Sequence, residues 1–337
     1  RTVFDGAGRV VESTSAGERD GVSFENTTRN SVFDINGRAV DYRTSSQGAA
    51  GVSDVETTGV QFDEFGRAYK RHEDGWNNGS YSNADVTAGY DAQGREVKTT
   101  REGYNGQGSF REETTTQGFN ALGQATGRST SGWNATEGNY SYQDTGLNYG
   151  LTGELLSFDR AKLNGEKKDV FHWATKGVDA AGRSLGFTEV GKSFENGKYI
   201  NDFTIDHAAR AHNGNGQEVS YRQTTTKTYV GGAVETTVSD WKGAYDDKGR
   251  QVEFRDDQTI TLTENGVTKE ATLSRCREGL SYYDADGDGH RKGMTRGYDE
   301  TVFDSANPDK GQKTAVRNMR YDAAGRFLDG ETASGEV

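Results

Sequence analysis

Three aspartates at alternate positions of one glycine-rich segment are the residues of this chain best suited to metal chemistry. They are Asp284, Asp286 and Asp288, in the segment YYDADGDGH (282–290). Alternate carboxylates in a glycine-rich turn are typical of the first half of a Ca²⁺-binding loop, because Ca²⁺ prefers oxygen ligands. The spacing therefore predicts a Ca²⁺ site at this turn.

The second half of such a loop is incomplete. Counted from Asp284, the twelfth position is Thr295, where a Ca²⁺ loop has an acidic residue that binds with both carboxylate oxygens. Glu278 or Asp299 would have to complete the ligand set from an adjoining strand. Two interpretations stay open at this point, a Ca²⁺ site and a solvated acidic turn, and no cofactor other than this Ca²⁺ is expected.

Catalytic patterns are weak elsewhere in the sequence. The dipeptide Asp206-His207 is not accompanied by a nucleophile elbow, and no two histidines have the spacing of metal ligands. The histidines are His72, His172, His207, His212 and His290. We therefore expect a protein that is not an enzyme.

Composition narrows the class of protein further. The net charge of −12 predicts that a nucleic-acid backbone is repelled, so no nucleic-acid partner is expected. Cys276 is the single cysteine, and low cysteine content with abundant Gly, Thr, Asn and Asp is typical of long bacterial surface proteins. Because no apolar run reaches membrane-spanning length, neither a membrane span nor a signal peptide is expected.

The elements that must position these residues are revealed by a six-residue motif, aromatic-Asp-x-x-Gly-Arg, which we call the box. Six clean copies occupy residues 4–9, 33–38, 62–67, 90–95, 245–250 and 321–326, and degenerate copies occupy 119–124, 149–154, 178–183, 212–217 and 283–288. Successive box glycines are 28 to 30 residues apart up to Gly182 and 33 to 38 apart beyond it. The chain is therefore predicted to be one continuous array over 1–337, with shorter repeats in 1–182 and longer repeats in 183–337, cut from a longer chain.

Each box has the chemistry of a hairpin turn. The Asp side chain accepts from the backbone two residues on, and the Gly supplies the positive φ that closes the hairpin. The predicted structural turn residues of the clean boxes are Asp34, Gly37, Arg38, Asp63, Gly66, Arg67, Asp91, Gly94, Arg95, Asp246, Gly249, Arg250, Asp322, Gly325 and Arg326.

A second set of turn signals, such as Asn78-Gly79 and Asn265-Gly266, lies midway between boxes. Each repeat then contains two strands, and alternation in strands such as 219–227 fits one half-apolar face. The segment 154–163 is the best helix candidate, although a strand is favoured there. The predicted fold class is all-β: a repetitive antiparallel β-hairpin meander forming an extended or curved, solenoid-like sheet of about ten repeats.

The boxes YDAQGR (90–95), YDDKGR (245–250) and YDAAGR (321–326) resemble the signature of YD-repeat proteins, which include RHS proteins, teneurins and the shell-forming subunits of bacterial toxin complexes. The resemblance covers the whole chain, but the repeat here is longer than is usual in the family. It implies an exported or extracellular β-scaffold.

Within the box edge we expect the aromatic residues to stack on their equivalents in neighbouring repeats. We expect each Arg to bridge to the box Asp or to a neighbouring carboxylate. A carbohydrate-binding strip along these aromatic residues is the alternative interpretation.

Function is expected to be structural. The leading hypothesis is a non-catalytic segment of a secreted or cell-surface protein, acting as a stalk, filament or adhesin scaffold and located outside a bacterial cell. The alternatives are the wall of a YD-type shell around a toxin or cargo and a carbohydrate-binding module. The expected partners are further repeats of the same chain or self-association, with a glycan or cell-surface receptor as a further candidate.

Overall fold

The computed structural model describes residues 1–19, 22–48, 51–151, 153–288, 290, 292–305, 311–322 and 325–336. These residues form 22 β-strands in one antiparallel sheet, and the described part of the chain contains no helix. It therefore also contains no helix long and apolar enough to cross a membrane. The predicted all-β hairpin meander is confirmed.

The strands are short in the first half of the chain and lengthen toward the middle of the second half. Their bounds are β1 Thr2–Phe4, β2 Val10–Arg19, β3 Val22–Phe33, β4 Ala39–Gly48, β5 Gly51–Phe62, β6 Ala68–Asn77, β7 Ser80–Tyr90, β8 Glu96–Asn105, β9 Gly108–Thr116, β10 Gly127–Asn134 and β11 Gly138–Tyr149. They continue with β12 Leu155–Asn164, β13 Lys167–Thr175, β14 Gly186–Glu195, β15 Lys198–His212, β16 Glu218–Tyr229, β17 Val234–Tyr245, β18 Gln251–Glu264, β19 Val267–Tyr282, β20 Thr295–Asp304, β21 Gln312–Tyr321 and β22 Phe327–Glu336. The segment 154–163 falls almost entirely in β12, so the strand prediction was correct.

Every strand pairs with the strand that precedes or follows it in the chain. The register of β16 and β17, for example, places Tyr221 opposite Trp241 and Thr225 opposite Thr237. The end strands β1 and β22 each pair with a single neighbour among the described residues, β2 and β21. The sheet is therefore an open meander.

The meander has two distinct edges. All boxes lie at one edge, where odd-numbered strands turn into even-numbered ones, and we call it the box edge. The shorter Asn-Gly and Gly-Gly turns lie at the opposite edge, which we call the turn edge. Asn78 and Gly79 have φ of 48° and 78°, as a two-residue primed turn requires.

The sheet coils so that its two edges meet. A Cβ placed on Gly79 in the β6–β7 turn would overlap the carbonyl oxygen of Gly249 in the β17–β18 box, eleven strands further along. At the next hairpin turn of the turn edge, between β8 and β9, Gly106 lies against the carbonyl oxygen of Gly293 in the β19–β20 loop, and Gly108 lies against Gly325. We call this line of contact the seam.

Candidate functional site

The box turn is built from one carboxylate that accepts four hydrogen bonds. In the box at 90–95, Asp91 Oδ1 accepts from the backbone N–H groups of Gln93 and Arg95, both at 2.9 Å. Asp91 Oδ2 accepts from Nε and Nη2 of Arg95, both at 2.7 Å. Gly94 closes the turn with φ of 82°. The Asp, Gly and Arg of the box therefore form one local unit.

The same unit recurs at every clean box. Side-chain pairs at 2.7 Å join Asp34 to Arg38, Asp63 to Arg67, Asp246 to Arg250 and Asp322 to Arg326. The glycines Gly37, Gly66, Gly249 and Gly325 all have positive φ. Each of these aspartates, glycines and arginines therefore lies in a hairpin turn of the box edge.

These hydrogen bonds also set the charge state of the box aspartates. In the first box, the backbone N–H and then the side chain of Arg9 hold the pKa of Asp5 below its usual value. The pKa of Asp179 in the degenerate box at 178–183 is lowered first by the backbone N–H of Arg183. Desolvation opposes the effect at Asp34, Asp63 and Asp91, but hydrogen bonds from the arginine of the same box hold the pKa of these three carboxyls below its usual value as well.

Neighbouring boxes are joined by cation–π contacts, not by ring stacking. Five box arginines pack their guanidinium over an aromatic ring of the following repeat, so the expected ring-on-ring stack is corrected there to an alternation of guanidinium and ring. The pairs are Arg9 over Phe33 at 4.4 Å, Arg38 over Phe62 at 4.1 Å, Arg67 over Tyr90 at 4.8 Å, Arg95 over Phe119 at 4.1 Å and Arg250 over Tyr282 at 5.2 Å. The arginine is available for this contact because its Nε and Nη2 already bond its own aspartate.

Where the box ring is tyrosine, its hydroxyl adds a bond to the preceding repeat. The hydroxyls of Tyr90 and Tyr245 donate to the carbonyl oxygens of Ala68 and Glu218, which each follow the preceding box directly. The ring of Tyr90, for example, therefore contacts the preceding repeat both through one face and through its hydroxyl.

The aspartate-rich segment departs from the box pattern. Arg250 packs over Tyr282, and the backbone of Tyr283 pairs with that of Met294, so a twelve-residue loop replaces the turn predicted for 283–288. The extra residues after Tyr283 move the hairpin closure away from the predicted Gly position. The box prediction at 283–288 is therefore wrong in detail, although a hairpin does form there.

Two of the three carboxylates of this loop, those of Asp284 and Asp286, have separate partners. Asp284 Oδ1 accepts from Lys248 Nζ at 3.2 Å and from Arg250 Nη1 at 3.0 Å, and Asp286 Oδ1 accepts from the backbone N–H of Lys292 at 2.8 Å. Lys248 and Arg250 also lower the pKa of Asp284, against the opposing effect of desolvation. Within the described residues no group of three His, Cys, Asp or Glu side chains is arranged to hold a metal ion. The Ca²⁺ site at Asp284, Asp286 and Asp288 therefore stays a prediction from the sequence, and the structure does not bring these three carboxylates together.

The seam contains a cluster of almost fully buried apolar side chains. Trp76, Tyr81, Tyr104 and Met294 are between 1% and 6% exposed, and Tyr283 and Tyr321 pack against them. The first three come from β6–β8, whereas Met294 and both added tyrosines belong to the loop and strands of the second turn of the coil. The cluster therefore joins parts of the chain that lie about two hundred residues apart in sequence.

Polar contacts reinforce the seam. Lys292 Nζ donates to Asp74 Oδ1 at 3.0 Å and lies 5.1 Å from the centre of the Tyr81 ring. Arg250 packs over Trp76 at 5.1 Å while it bonds Asp246 and Asp284. Beside this contact lies a cleft of about 420 Å³ lined by both turns of the coil, including Asp54, Asp74 and Lys248.

A second feature, which the sequence reasoning missed, is a ladder of stacked rings across β12–β17. Its members, one per strand, are Phe158, Trp173, Phe187, His207, Tyr221 and Trp241. Their successive centroid distances are 5.1, 6.1, 4.9, 4.5 and 5.1 Å. We call this row the aromatic ladder. It gives the middle of the sheet an apolar spine that the low overall content of hydrophobic residues does not suggest.

A signal for the ladder was present in the sequence. Phe158, Phe187 and Tyr221 each lie five residues after a box glycine, at Gly153, Gly182 and Gly216. Because the spacing is constant, these rings must fall at the same height on the same face of successive even-numbered strands.

His207 is the titratable member of the ladder. Its Nε2 lies 3.0 Å from Glu218 Oε1 and its Nδ1 lies 3.3 Å from Gln223 Oε1, so both ring nitrogens face acceptors. The hydrogen bond with Glu218 raises the pKa of His207, against the opposing effect of burial. The geometry thus suits a protonated imidazole stacked between Phe187 and Tyr221.

The ladder ends in a buried ion pair. Asp144 is completely buried and accepts from Arg160 Nε at 2.6 Å and from Arg128 Nη2 at 3.2 Å. Arg160 in turn packs over Phe158 and Tyr142. This arrangement can hold strands β10–β12 in register, because the buried carboxylate is costly without both cations.

Comparison with known proteins gives no further guide to the chain. No protein-family model matches it, and no curated protein matches its sequence.

Proposed function

We propose that the chain is a non-catalytic structural protein whose coiled sheet forms the wall of a narrow, hollow scaffold. The observation that carries this proposal is the seam, where Trp76, Tyr81 and Tyr104 of the first turn of the coil pack against Met294 of the second. Because this apolar cluster is buried only when the sheet coils, its burial stabilises the coiled form.

The coil favours a wall over an open stalk or filament. In a flat ribbon, β6 and the loop after β19 would lie about thirteen strand spacings apart, which is roughly 60 Å. The 3.0 Å contact between Lys292 and Asp74 and the apolar cluster beside it exist only when the sheet coils.

The size of the coil limits what it can enclose. About eleven strands per turn, at about 4.8 Å each, give a circumference of about 53 Å and a diameter of about 17 Å, which strand tilt increases. This lies between closed sheets of about eight strands, whose interior is filled by side chains, and those of about sixteen, which leave a channel. One coil of this chain is therefore too narrow to enclose a folded toxin domain.

The resemblance to YD-repeat proteins supports the same proposal. It implies an exported β-scaffold, and we place this wall outside the cell or on its surface for that reason. The carbohydrate-binding alternative is less favoured, because box rings such as Phe62 and Phe119 are each covered on one face by a guanidinium.

The proposal is tested by electron microscopy of the chain and of a seam variant. Gly79→Val puts a side chain against Gly249. Gly197→Val is the matched control, because the Asn196-Gly197 turn has nearly the same φ angles as the Asn78-Gly79 turn, with φ of 74° at Gly197. A Cβ on Gly197 meets nothing within 4 Å. Wild type and Gly197→Val are expected to give short coiled particles, and Gly79→Val is expected to give opened ribbons with the same β-sheet circular dichroism.

Open ribbons for the wild-type protein would overturn the proposal. So would a Gly79→Val particle as tightly coiled as Gly197→Val, since the seam would then not hold the coil.

A further inference from the structure

The cleft beside the seam is built by both turns of the coil. Its volume of about 420 Å³ is typical of a small-molecule site. Its floor is formed by residues of β3–β6, and the second turn contributes Asp247 and Lys248 of the box at 245–250 together with Lys292 of the β19–β20 loop. The complete cleft therefore exists only while the sheet is coiled.

Every basic side chain that lines the cleft already has a carboxylate partner. The pairs are Arg43 with Asp54, whose Nε and Oδ1 lie 2.6 Å apart, Lys292 with Asp74 at 3.0 Å and Lys248 with Asp284 at 3.2 Å. A phosphate, sulfate or carboxylate ligand would have to displace a carboxylate of the protein from each cation that it contacts. The cleft therefore disfavours anions.

Three further carboxylates line the cleft without a cation. Glu25, Glu56 and Asp247 are all exposed and form no ion pair among the described residues. The hydroxyl of Thr27 donates to Glu25 Oε1 at 3.4 Å. Glu25 and Glu56 belong to the first turn of the coil and Asp247 to the second, so both turns contribute uncompensated negative charge to the cleft.

The spacing of these carboxylates is too wide for one small cation to bridge. Through Gln47, the strand register places Glu25 in line with Val52, four residues before Glu56 on β5. Two strand spacings and four residues along the strand separate the Cα atoms of Glu25 and Glu56 by roughly 16 Å. In the described part of the chain no three His, Cys, Asp or Glu side chains are arranged to hold a metal ion. The cleft therefore suits a ligand whose positive charges are spread along a chain.

Apolar and neutral polar groups lie between the charges. Val52 and Trp76 line the cleft, and Trp76 lies opposite Asp54 in the register of β5 and β6. Ser45 and Gln47 add a hydroxyl and an amide whose oxygens can accept from an ammonium group. Methylene groups between the charges of a ligand can thus contact Val52 while its charged ends reach the carboxylates.

We propose that the cleft binds a linear polyamine, whose ammonium groups bridge Glu25 and Glu56 of the first turn to Asp247 of the second. The ammonium groups supply the cations that these carboxylates lack, and the methylene segments between them pack against Val52. An extended tetraamine such as spermine is long enough to span the distance between Glu25 and Glu56. Because the ligand contacts both turns, it binds the coiled sheet more tightly than an opened one and shifts the population toward the coil.

Isothermal titration calorimetry with spermine measures this binding, at about 150 mM NaCl so that non-specific attraction to the acidic chain is screened. Wild type should bind spermine in a 1:1 complex. The cleft variant, Glu56→Gln with Asp247→Asn, should bind roughly tenfold more weakly, because two exposed ion pairs with the ligand are lost. The matched control, Glu64→Gln with Glu264→Gln, removes the same charge from two exposed carboxylates outside the cleft and should bind like wild type.

The seam variants separate this inference, which rests on the coil, from the proposed function. Gly79→Val should lose spermine binding because the second turn leaves the cleft, whereas Gly197→Val should keep it. The inference alone is overturned if coiled wild-type particles bind no spermine at about millimolar concentration, if the cleft variant and its control bind equally, or if an opened Gly79→Val still binds. Open wild-type particles would overturn the proposed function as well.

Discussion

At the scale of the residue, the box is a self-contained turn whose geometry follows from its own six side chains. Asp91 accepts from two backbone N–H groups and from Arg95, and this leaves the flat face of the guanidinium free for the ring of Phe119. The sequence predicts the turn because every bond within it is local. It did not predict the guanidinium–ring alternation, because that contact depends on how neighbouring hairpins are offset.

Gly94→Val is expected to destabilise its hairpin by about 1–3 kcal/mol, because Gly94 has φ of 82° and a β-branched residue adopts such a conformation only with strain. Chemical denaturation measures this loss. Gly94→Asn is the control, since Asn tolerates positive φ at much lower cost. Equal stability of Gly94→Val and wild type would refute the turn geometry.

A second prediction at this scale concerns His207. Its pKa is raised by Glu218, so it binds a proton more tightly in the folded than in the unfolded chain. Its contribution to stability is therefore complete below the unfolded pKa of about 6.5 and is lost as pH rises through the folded pKa.

His207→Phe keeps a ring between Phe187 and Tyr221 but removes the titration. The difference in melting temperature between wild type and His207→Phe should therefore fall as the pH is raised from about 5.5 to about 9. A difference that is independent of pH would show that the Glu218 contact does not favour the protonated ring.

At the scale of the element, each repeat is one hairpin of two strands, and these strands were predictable from turn chemistry and alternation. The aromatic ladder was not predicted, although Phe158, Phe187 and Tyr221 share a constant distance from their box glycines. Its other members, Trp173, His207 and Trp241, lie on odd-numbered strands, whose register relative to the box is shifted by bulges such as the one at Ala209 to Ala211 in β15. Sequence spacing alone does not reveal those bulges.

Trp173→Ala should cost about 3 kcal/mol, because it removes a ring stacked on both Phe158 and Phe187. Trp133→Ala is the matched control, since that ring is 40% exposed, and it should cost clearly less. Urea unfolding monitored by circular dichroism, at a concentration where the chain is monomeric, compares the two. Equal losses would mean that the ladder does not stabilise the sheet.

The aspartate-rich loop belongs to the same scale. Any Ca²⁺ bound there must compete with Lys248 and Arg250 for Asp284, so Ca²⁺ is expected to raise the melting temperature only at roughly millimolar concentration. Calorimetry with and without Ca²⁺ measures the effect, and Asp286→Ala should remove it. No response in the wild type, or an unchanged response in Asp286→Ala, would eliminate the predicted site.

At the scale of the whole molecule, the defining property is the coil, and it was not predictable from local patterns. The direction and degree of coiling depend on the summed twist of many strands, and a small change per strand decides whether the edges meet. In the sequence, Trp76 and Tyr81 are simply two aromatic residues that flank an Asn-Gly turn. Their role appears only when Met294, more than two hundred residues later, packs against them.

The coil is tested most directly by zero-length cross-linking of Lys292 to Asp74. A carbodiimide joins an amine to a carboxylate only when the two are in contact, and these groups lie 3.0 Å apart in the coil but would be roughly 60 Å apart in a flat ribbon. Lys292→Arg is the control, because it retains the positive charge but has no amine to join. Mixing chains of light and heavy nitrogen separates links within one molecule from links between molecules.

The coiled structure predicts that mass spectrometry of the monomer finds a 74–292 link within single chains, and that Lys292→Arg lacks it. Absence of the link in the wild-type monomer, or its presence only between light and heavy chains, would contradict the coil.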